Sequence, residues 1–214
     1  MKLPLAYYGN PILRKKTKPI EKITAEVCQL VKNMEETLVD VKGVGLAAPQ
    51  VHQNISLFIT MIPKMVDDEV ISPGTLRVFI NPKILSFSKE IWTCQEGCLS
   101  IPEFWDEVPR PHSVVMQATN LEGEIFEEEF KEFEAHVIMH ENDHLNGVLF
   151  IDRLPLKRKK EIEKDLKKIF AKKDWNRLHL QMIYFARSYC PARGHQPHLC
   201  PICHWAAKVA QVKK

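Results

Sequence analysis

Residues 140 to 147, HENDHLNG, place two histidines four apart with a glutamate directly after the first. On a helix, positions i and i+4 stack on one face. His140 and His144 can then grip one metal ion while Glu141 stands beside it as a proton acceptor. A lone histidine in an apolar helix reads as a hydrogen-bonded core residue; two at this spacing, with the glutamate between them, favour a metal site. Two protein ligands seldom suffice for a catalytic metal. The identity of the third therefore decides what kind of enzyme this is.

Around that motif, residues 131–145 read as a helix with Phe133, Val137, Ile138 and Leu145 as its apolar positions, and Gly147 suits its C-terminal cap. Residues 24–41 give a second helical pattern, which Thr24 can cap. ISLFITMI (55–62) reads as a buried strand. LRVFIN (76–81), KILSFS (83–88), SVVMQATN (113–120) and EIFEEEF (124–130) read as further strands. The charged stretch 64–75, with Pro73-Gly74, reads as a surface loop. Residues 156–172 form a basic amphipathic pattern with Ile162, Leu166, Ile169 and Phe170 on one stripe. The expected fold is α+β: short, mostly antiparallel strands around a central HExxH helix, then a basic helix and a Cys/His-rich tail. Two parts are expected, 1–172 and 173–214.

The 214 residues are 45% hydrophobic and 27% charged, ordinary for a globular protein. No apolar run approaches the roughly 20 residues of a membrane span, and the N-terminus lacks a secretory signal pattern. A cytoplasmic monomer without membrane association is expected. The net charge of +3 hides an asymmetry. Residues 1–156 hold 15 Lys and Arg against 23 Asp and Glu, a net −8, whereas residues 157–214 hold 15 against 4, a net +11. A basic end of this kind is either a solvated helix face and tail or a nucleic-acid contact. Of the six cysteines, three cluster in the last 25 residues; a cytosolic setting argues against a disulfide framework.

Several residues compete for the third ligand position. The extended protease motif HExxHxxGxxH fails, because its last histidine would be Phe150. A glutamate on a later helix would be Glu161 or Glu163, both among lysines. Upstream, EGCLSIP (96–102) holds Cys98 between Gly97 and Leu99. A thiolate is a strong ligand for a borderline divalent metal, although one cysteine can equally be an inert core residue. GVGLAAPQ (43–50) is a glycine-rich loop, but no GK[ST] follows and the GxGxxG spacing fails at Ala48, which speaks against phosphate binding. Such a loop lets an extended peptide lie against exposed backbone as an added strand, with Gln50 offering a carboxamide donor.

GVGLAAPQ, EGCLSIP and HENDHLNG, in this order and at these separations, closely resemble peptide deformylase, as does YYGNPILRKKTKPI (7–20). The resemblance covers roughly residues 3–172. It implies that Cys98 joins His140 and His144 as metal ligand, with Fe(II) favoured and Zn(II) or Ni(II) also accepted. It implies removal of the formyl group from formylmethionine at the start of new polypeptides, releasing formate. In that reaction Glu141 acts as general base and then acid. The Gln50 carboxamide and the Leu99 N–H stabilise charge on the formyl oxygen. The backbone at Val44, Gly45 and Gly97 would pair with the peptide. Val44, Val137 and the His140 ring edge are candidates for the methionine pocket, and each suits plain core as well. Glu96 orients its loop or a charge partner, for which Arg110 is the candidate. Ribosome contact would fall to the basic helix 156–172. Two positions depart from the family pattern: Met139 stands where glutamine is common, and Trp105 stands near where many members carry a basic side chain that contacts substrate. A zinc endoprotease on the same HExxH, and a degenerate deformylase that binds nucleic acid through its tail, are the alternatives.

The tail raises a separate question. WNRLHLQMIYFARSYCPAR (175–193) resembles the C-terminal end of endonuclease III-type DNA glycosylases, just before and into their iron–sulfur loop. That loop uses four cysteines; here Cys190, Cys200 and Cys203 are three, and the first spacing is longer, Cys-x9-Cys. A structural zinc site from these three and one of His195, His198 or His204 is chemically sound. The other readings are a fused fragment without function and a DNA-contact module with salt-sensitive binding.

Overall fold

A computed structural model describes residues 1–66, 69–72 and 74–169, with the side chains of 64–72 and 167–169 left out. Contacts divide the chain into two units, Met1–Ile162 and Glu163–Lys214. The tail cysteines and histidines, and Phe170, lie outside the described residues.

Three helices carry the expected patterns: α1 (Ala25–Asp40), α2 (Glu132–Leu145) and α3 (Leu156–Ile169). Thr24 occupies the N-cap position of α1, but its side chain makes no capping bond to the helix backbone. Val31, Met34 and Leu38 of α1 are buried at helical spacing. Ten of the fourteen residues of α2 are buried, Glu141, Asp143 and three histidines among them. A helix buried over so much of its surface must find partners for its polar groups inside the protein. Asn146 closes α2, and Gly147 follows in the left-handed region at φ 72°, where its missing side chain lets the Arg14 backbone pass close by.

Among the described residues, nine strands form three antiparallel sheets. β1 (Gly45–Ala47), β2 (Leu57–Thr60), β5 (Arg77–Phe87), β8 (Ser113–Thr119) and β9 (Ile125–Lys131) form one, in the order β1-β2-β5-β8-β9. β3 (Lys64–Val66) pairs with β4 (Glu69–Ser72), and β6 (Ile91–Cys98) with β7 (Ile101–Pro111). Alternate residues of β8 are buried, so Val114, Met116 and Ala118 meet Ala135, Ile138 and Met139 of α2 in one cluster. Phe58 and Phe79 stack there at 4.5 Å, with Phe130 edge-on to Phe79. The second cluster sets α1 against β1 and β2 through Leu38, Leu46, Leu57 and Ile59.

Four readings of the sequence need correction. The stretch 64–75 holds the paired strands β3 and β4, because backbone pairing in a small hairpin tolerates a charged sequence. The two segments 76–81 and 83–88 are one strand, β5, with a register shift between Ile80 and Lys83. Asn81 takes φ 50° there, and its carboxamide makes both hydrogen bonds to the Ile20 backbone (2.8 and 2.7 Å), which fixes the irregularity. Phe133, expected in the core, is 42% exposed near the start of α2. The glycine-rich loop 43–50 contains the edge strand β1 and a 3-10 turn at Ala48–Val51.

Candidate metal centre and active site

Metal-ligating atoms of Cys98, His140 and His144 lie within 4.8 Å of one another. Cys98 closes β6 at the tip of the β6–β7 hairpin, and the histidines lie one turn apart on α2. The Cys98 Sγ to His144 Nε2 distance is 3.2 Å. A thiolate and two imidazoles converging in a buried site is a donor set that fits a divalent transition metal. The structure brings the upstream cysteine to the helix. Glu161 is instead exposed on α3, where its carboxylate pairs with Arg158. Phe150 is buried, its ring 6.4 Å from that of His140.

Glu96 organises the surroundings. Its carboxylate accepts Nε and Nη2 of Arg110 and lies 2.8 Å from both His140 Nδ1 and His136 Nε2. Burial would raise its pKa, but hydrogen bonds from Arg110, His136 and His140 hold it well below the usual carboxylate range. With His140 Nδ1 committed to Glu96, Nε2 is left for a metal. Arg110 also donates Nη1 to Asp143 at 2.8 Å, and Asp143 accepts Arg153. Glu96 and Arg110 are thus partners, each almost fully buried. His136 and Asp143 were not singled out in the sequence; the spacing 136, 140, 144 on one helix face is the signal that points to His136.

Burial holds His144 well below the usual histidine range, helped by charge on His140; a neutral imidazole is the ligating form. Burial opposes charge on His140, but hydrogen bonds to Cys98 and Glu96 outweigh it and raise its pKa well above the usual range. A metal ion taking His140 Nε2 has to displace a proton. Glu141 is pushed up to about 7, first by burial and then by neighbouring carboxylates, with His140 and Arg110 opposing. Its Oε2 is buried with no hydrogen-bond partner.

Gln50 is held by its own turn. Its Oε1 accepts Ala47 N–H at 2.8 Å, while Nε2 points at Ser100 Oγ (3.3 Å) and Cys98 Sγ (3.6 Å). The carboxamide therefore offers its donor end toward the metal ligands, next to Leu99 in the hairpin turn. The N-terminal segment ties these pieces together: Ala6 N–H bonds Gln50 O (2.7 Å) and Tyr8 N–H bonds Ser100 O (2.8 Å). One cavity of about 520 Å3 is lined by Val44, Gly45, Gln50, Gly97, Cys98, Leu99, Val137, His140 and Glu141. Met139 lies in the aromatic core, so its departure from the common glutamine is absorbed by apolar packing.

Two expected effects arise here. A Cβ on Gly45 would collide with the Glu141 carboxylate. Gly45→Ala is expected to lower kcat at least about tenfold by displacing Glu141, since a small misplacement of a catalytic group is costly; steady-state formate release checks it. Arg110→Met leaves the Glu96 and Asp143 carboxylates buried and unpaired on that side. It is expected to cost about 3–5 kcal/mol of stability, measured by urea denaturation; a change under about 1 kcal/mol would contradict the network's role.

The comparisons agree with this geometry. The sequence profile of the family described as Polypeptide deformylase matches residues 2–160. A peptide deformylase of Pseudothermotoga lettingae is 42% identical over 158 residues, 74% of this chain and 86% of that one. One of Afipia carboxidovorans is 50% identical over 153 residues, 71% of this chain and 86% of that one. The crystal structure of the Ehrlichia chaffeensis peptide deformylase superposes with a TM-score of 0.73 at 29% identity, covering 78% of this chain and 96% of that one. The Acinetobacter baumannii class I type b enzyme, solved with Met-Ala-Ser bound, gives 0.67 at 35% identity over 72% of this chain and 99% of that one. Neither the tail's glycosylase likeness nor the identity of a metal enters these matches. With the motifs, the convergence of Cys98 on the HExxH helix and the match to most of the chain all in accord, the protein belongs to the polypeptide deformylase family.

Proposed function

We propose that this chain hydrolyses the formyl group from formylmethionine at the N-terminus of new polypeptides, giving formate and a free amine. The observation that carries this reading is the convergence of Cys98, His140 and His144 beside Glu141, whose Oε2 is buried without a hydrogen-bond partner, at a cavity bordered by the edge strand β1. Cys98, His140 and His144 would hold a divalent metal, Fe(II) by preference and Zn(II) or Ni(II) in its place, whose Lewis acidity polarises water and the formyl carbonyl. Glu141 takes a proton from the attacking water and later delivers it to the departing nitrogen, so one residue serves both steps. Gln50 Nε2 and the Leu99 N–H donate to the formyl oxygen as it gains charge. Backbone at Val44, Gly45 and Gly97 pairs with the peptide as an added strand, and Val44 and Val137 border the methionine side chain. Formate release from formyl-Met-Ala-Ser by protein purified without oxygen tests the reading. Cleavage of internal peptide bonds with no formate would favour the endoprotease instead.

The same reading takes 1–172 as the catalytic part and 173–214 as an extension, in a cytoplasmic monomer. No helix among the described residues is long and apolar enough to cross a membrane. The basic face of 156–172 suits ribosome contact; unchanged co-sedimentation after reversing several of its lysine charges would count against this. In the extension, Cys190, Cys200, Cys203 and His204 suit a structural zinc ion. More than one metal per full-length chain, falling to one after truncation beyond Lys173, is the result this requires. The glycosylase-like sequence and basic charge also suit DNA contact, which a salt-sensitive gel shift lost on the same truncation would establish.

A further inference from the structure

We propose that His136 is a positioning residue for the metal centre: by sharing the Glu96 carboxylate with His140 it fixes the direction in which the His140 ring offers its second nitrogen, and so sets how tightly Cys98, His140 and His144 hold a divalent metal. This rests on the deformylase reading above. His136 is buried and sits one turn before His140 on the same face of α2. No step of the proposed reaction uses it. Its Nε2 lies 2.8 Å from Glu96 Oε1, while its Nδ1 is buried without a hydrogen-bond partner. The Nε2 approach is close but bent, and a small turn of the carboxylate completes the bond. Since an ionised carboxylate only accepts, Glu96 places the His136 proton on Nε2.

An ionised carboxylate has about four acceptor positions, two on each oxygen. Here Oε1 meets Arg110 Nε and His136 Nε2, and Oε2 meets Arg110 Nη2 and His140 Nδ1. With both oxygens held, the carboxylate has one orientation, and the His140 ring takes its own from it. Without His136, one acceptor position on Oε1 stands empty in the interior, and the group relaxes toward its remaining donors. That movement carries Oε2 relative to His140. Trp92 meets the His136 ring edge to face at 5.7 Å, which limits rotation of the imidazole. Strand β6 thus supplies the brace (Trp92), the shared acceptor (Glu96) and the ligand Cys98, and α2 supplies His136 and both ligating histidines.

The test is competition for Zn(II) between a chromophoric chelator and the full-length chain, as wild type, His136→Met and His136→Gln. Methionine and glutamine have nearly the same shape, but only glutamine keeps an N–H donor. Any metal held by the tail is common to all three proteins, so the differences report the site at Cys98. His136→Met is expected to raise the Kd for zinc about ten- to hundredfold, the range for partners of a metal-ligating histidine, and His136→Gln to stay within about threefold of wild type. A Kd for His136→Met within about twofold of wild type would overturn the proposal, even if KM for formyl-Met-Ala-Ser rose. So would a His136→Gln site as weak as that of His136→Met, which would make the residue a matter of packing. His136→Leu stands in if His136→Met does not fold; failure of both to fold would assign His136 to the fold itself and overturn the proposal as well. A wild type that binds zinc as expected but releases no formate with any divalent metal would overturn the deformylase reading and leave the His136 comparison standing.

Discussion

Replacing Glu141 by glutamine is expected to lower kcat for formate release by about 10²–10⁴-fold, the contribution of a positioned general acid–base group. The substitution keeps the size and shape of the side chain. Its contact with Gly45 and its buried place among His140 and Arg110 therefore survive. What disappears is the capacity to accept a proton from water and return it to nitrogen. Burial already favours the neutral form of Glu141, so the uncharged carboxamide should cost little stability. Metal content per chain should stay unchanged, because Glu141 is not among the converging ligands. Formate release and metal content are measured on the same sample. Turnover within about tenfold of wild type would remove Glu141 from the proton-transfer role.

Cys98→Ala carries the second large effect. It removes the thiolate from the set and leaves two histidines four residues apart, which is a weak site. Changes beyond the ligand shell typically cost about 10–100-fold in metal affinity or activity; loss of a ligand should exceed that. The variant is expected to come through desalting with little metal and to release formate slowly at any metal concentration short of saturation. Cys98 is nearly buried but ends a hairpin whose other residues hold it through the ladder and through the Ser100 carbonyl. The fold should therefore persist. A full complement of metal with wild-type turnover would exclude Cys98 as a ligand.

Much of the fold could be read because its signals are local. The apolar spacing of 24–41 and 131–145 lies within single helices, and SVVMQATN alternates as a one-sided strand must. Where a segment departed from these rules, reading it failed for definite reasons. The β6–β7 hairpin is only partly buried; β6 alternates in exposure, but its inward row of Trp92, Cys94, Glu96 and Cys98 includes a carboxylate and its outward row begins with Ile91, which blurs the apolar pattern. β5 looked like two strands because Asn81-Pro82 reads as a break, whereas the Asn81 carboxamide ties that irregularity to Ile20. Charged residues are normally placed in water, which kept Asp143 out of the pairing expected between Glu96 and Arg110.

For the site the division is sharper. The sequence alone determined the two histidines and their glutamate, since a helix of fixed pitch puts positions 140 and 144 on one face wherever it packs. It also determined, through three motifs in order, the family and the cysteine to suspect. Tertiary structure decided the rest, because each remaining feature joins segments far apart in the chain. Cys98 meets His144 only when the hairpin folds onto α2. Gln50 Nε2 points toward the ligands only because Ala47 N–H holds the other end of its carboxamide. Glu96 can orient His140 only because Arg110, fourteen residues on, offsets its charge in the interior. Long-range pairing, desolvation and charge compensation act between elements, and no local pattern encodes them.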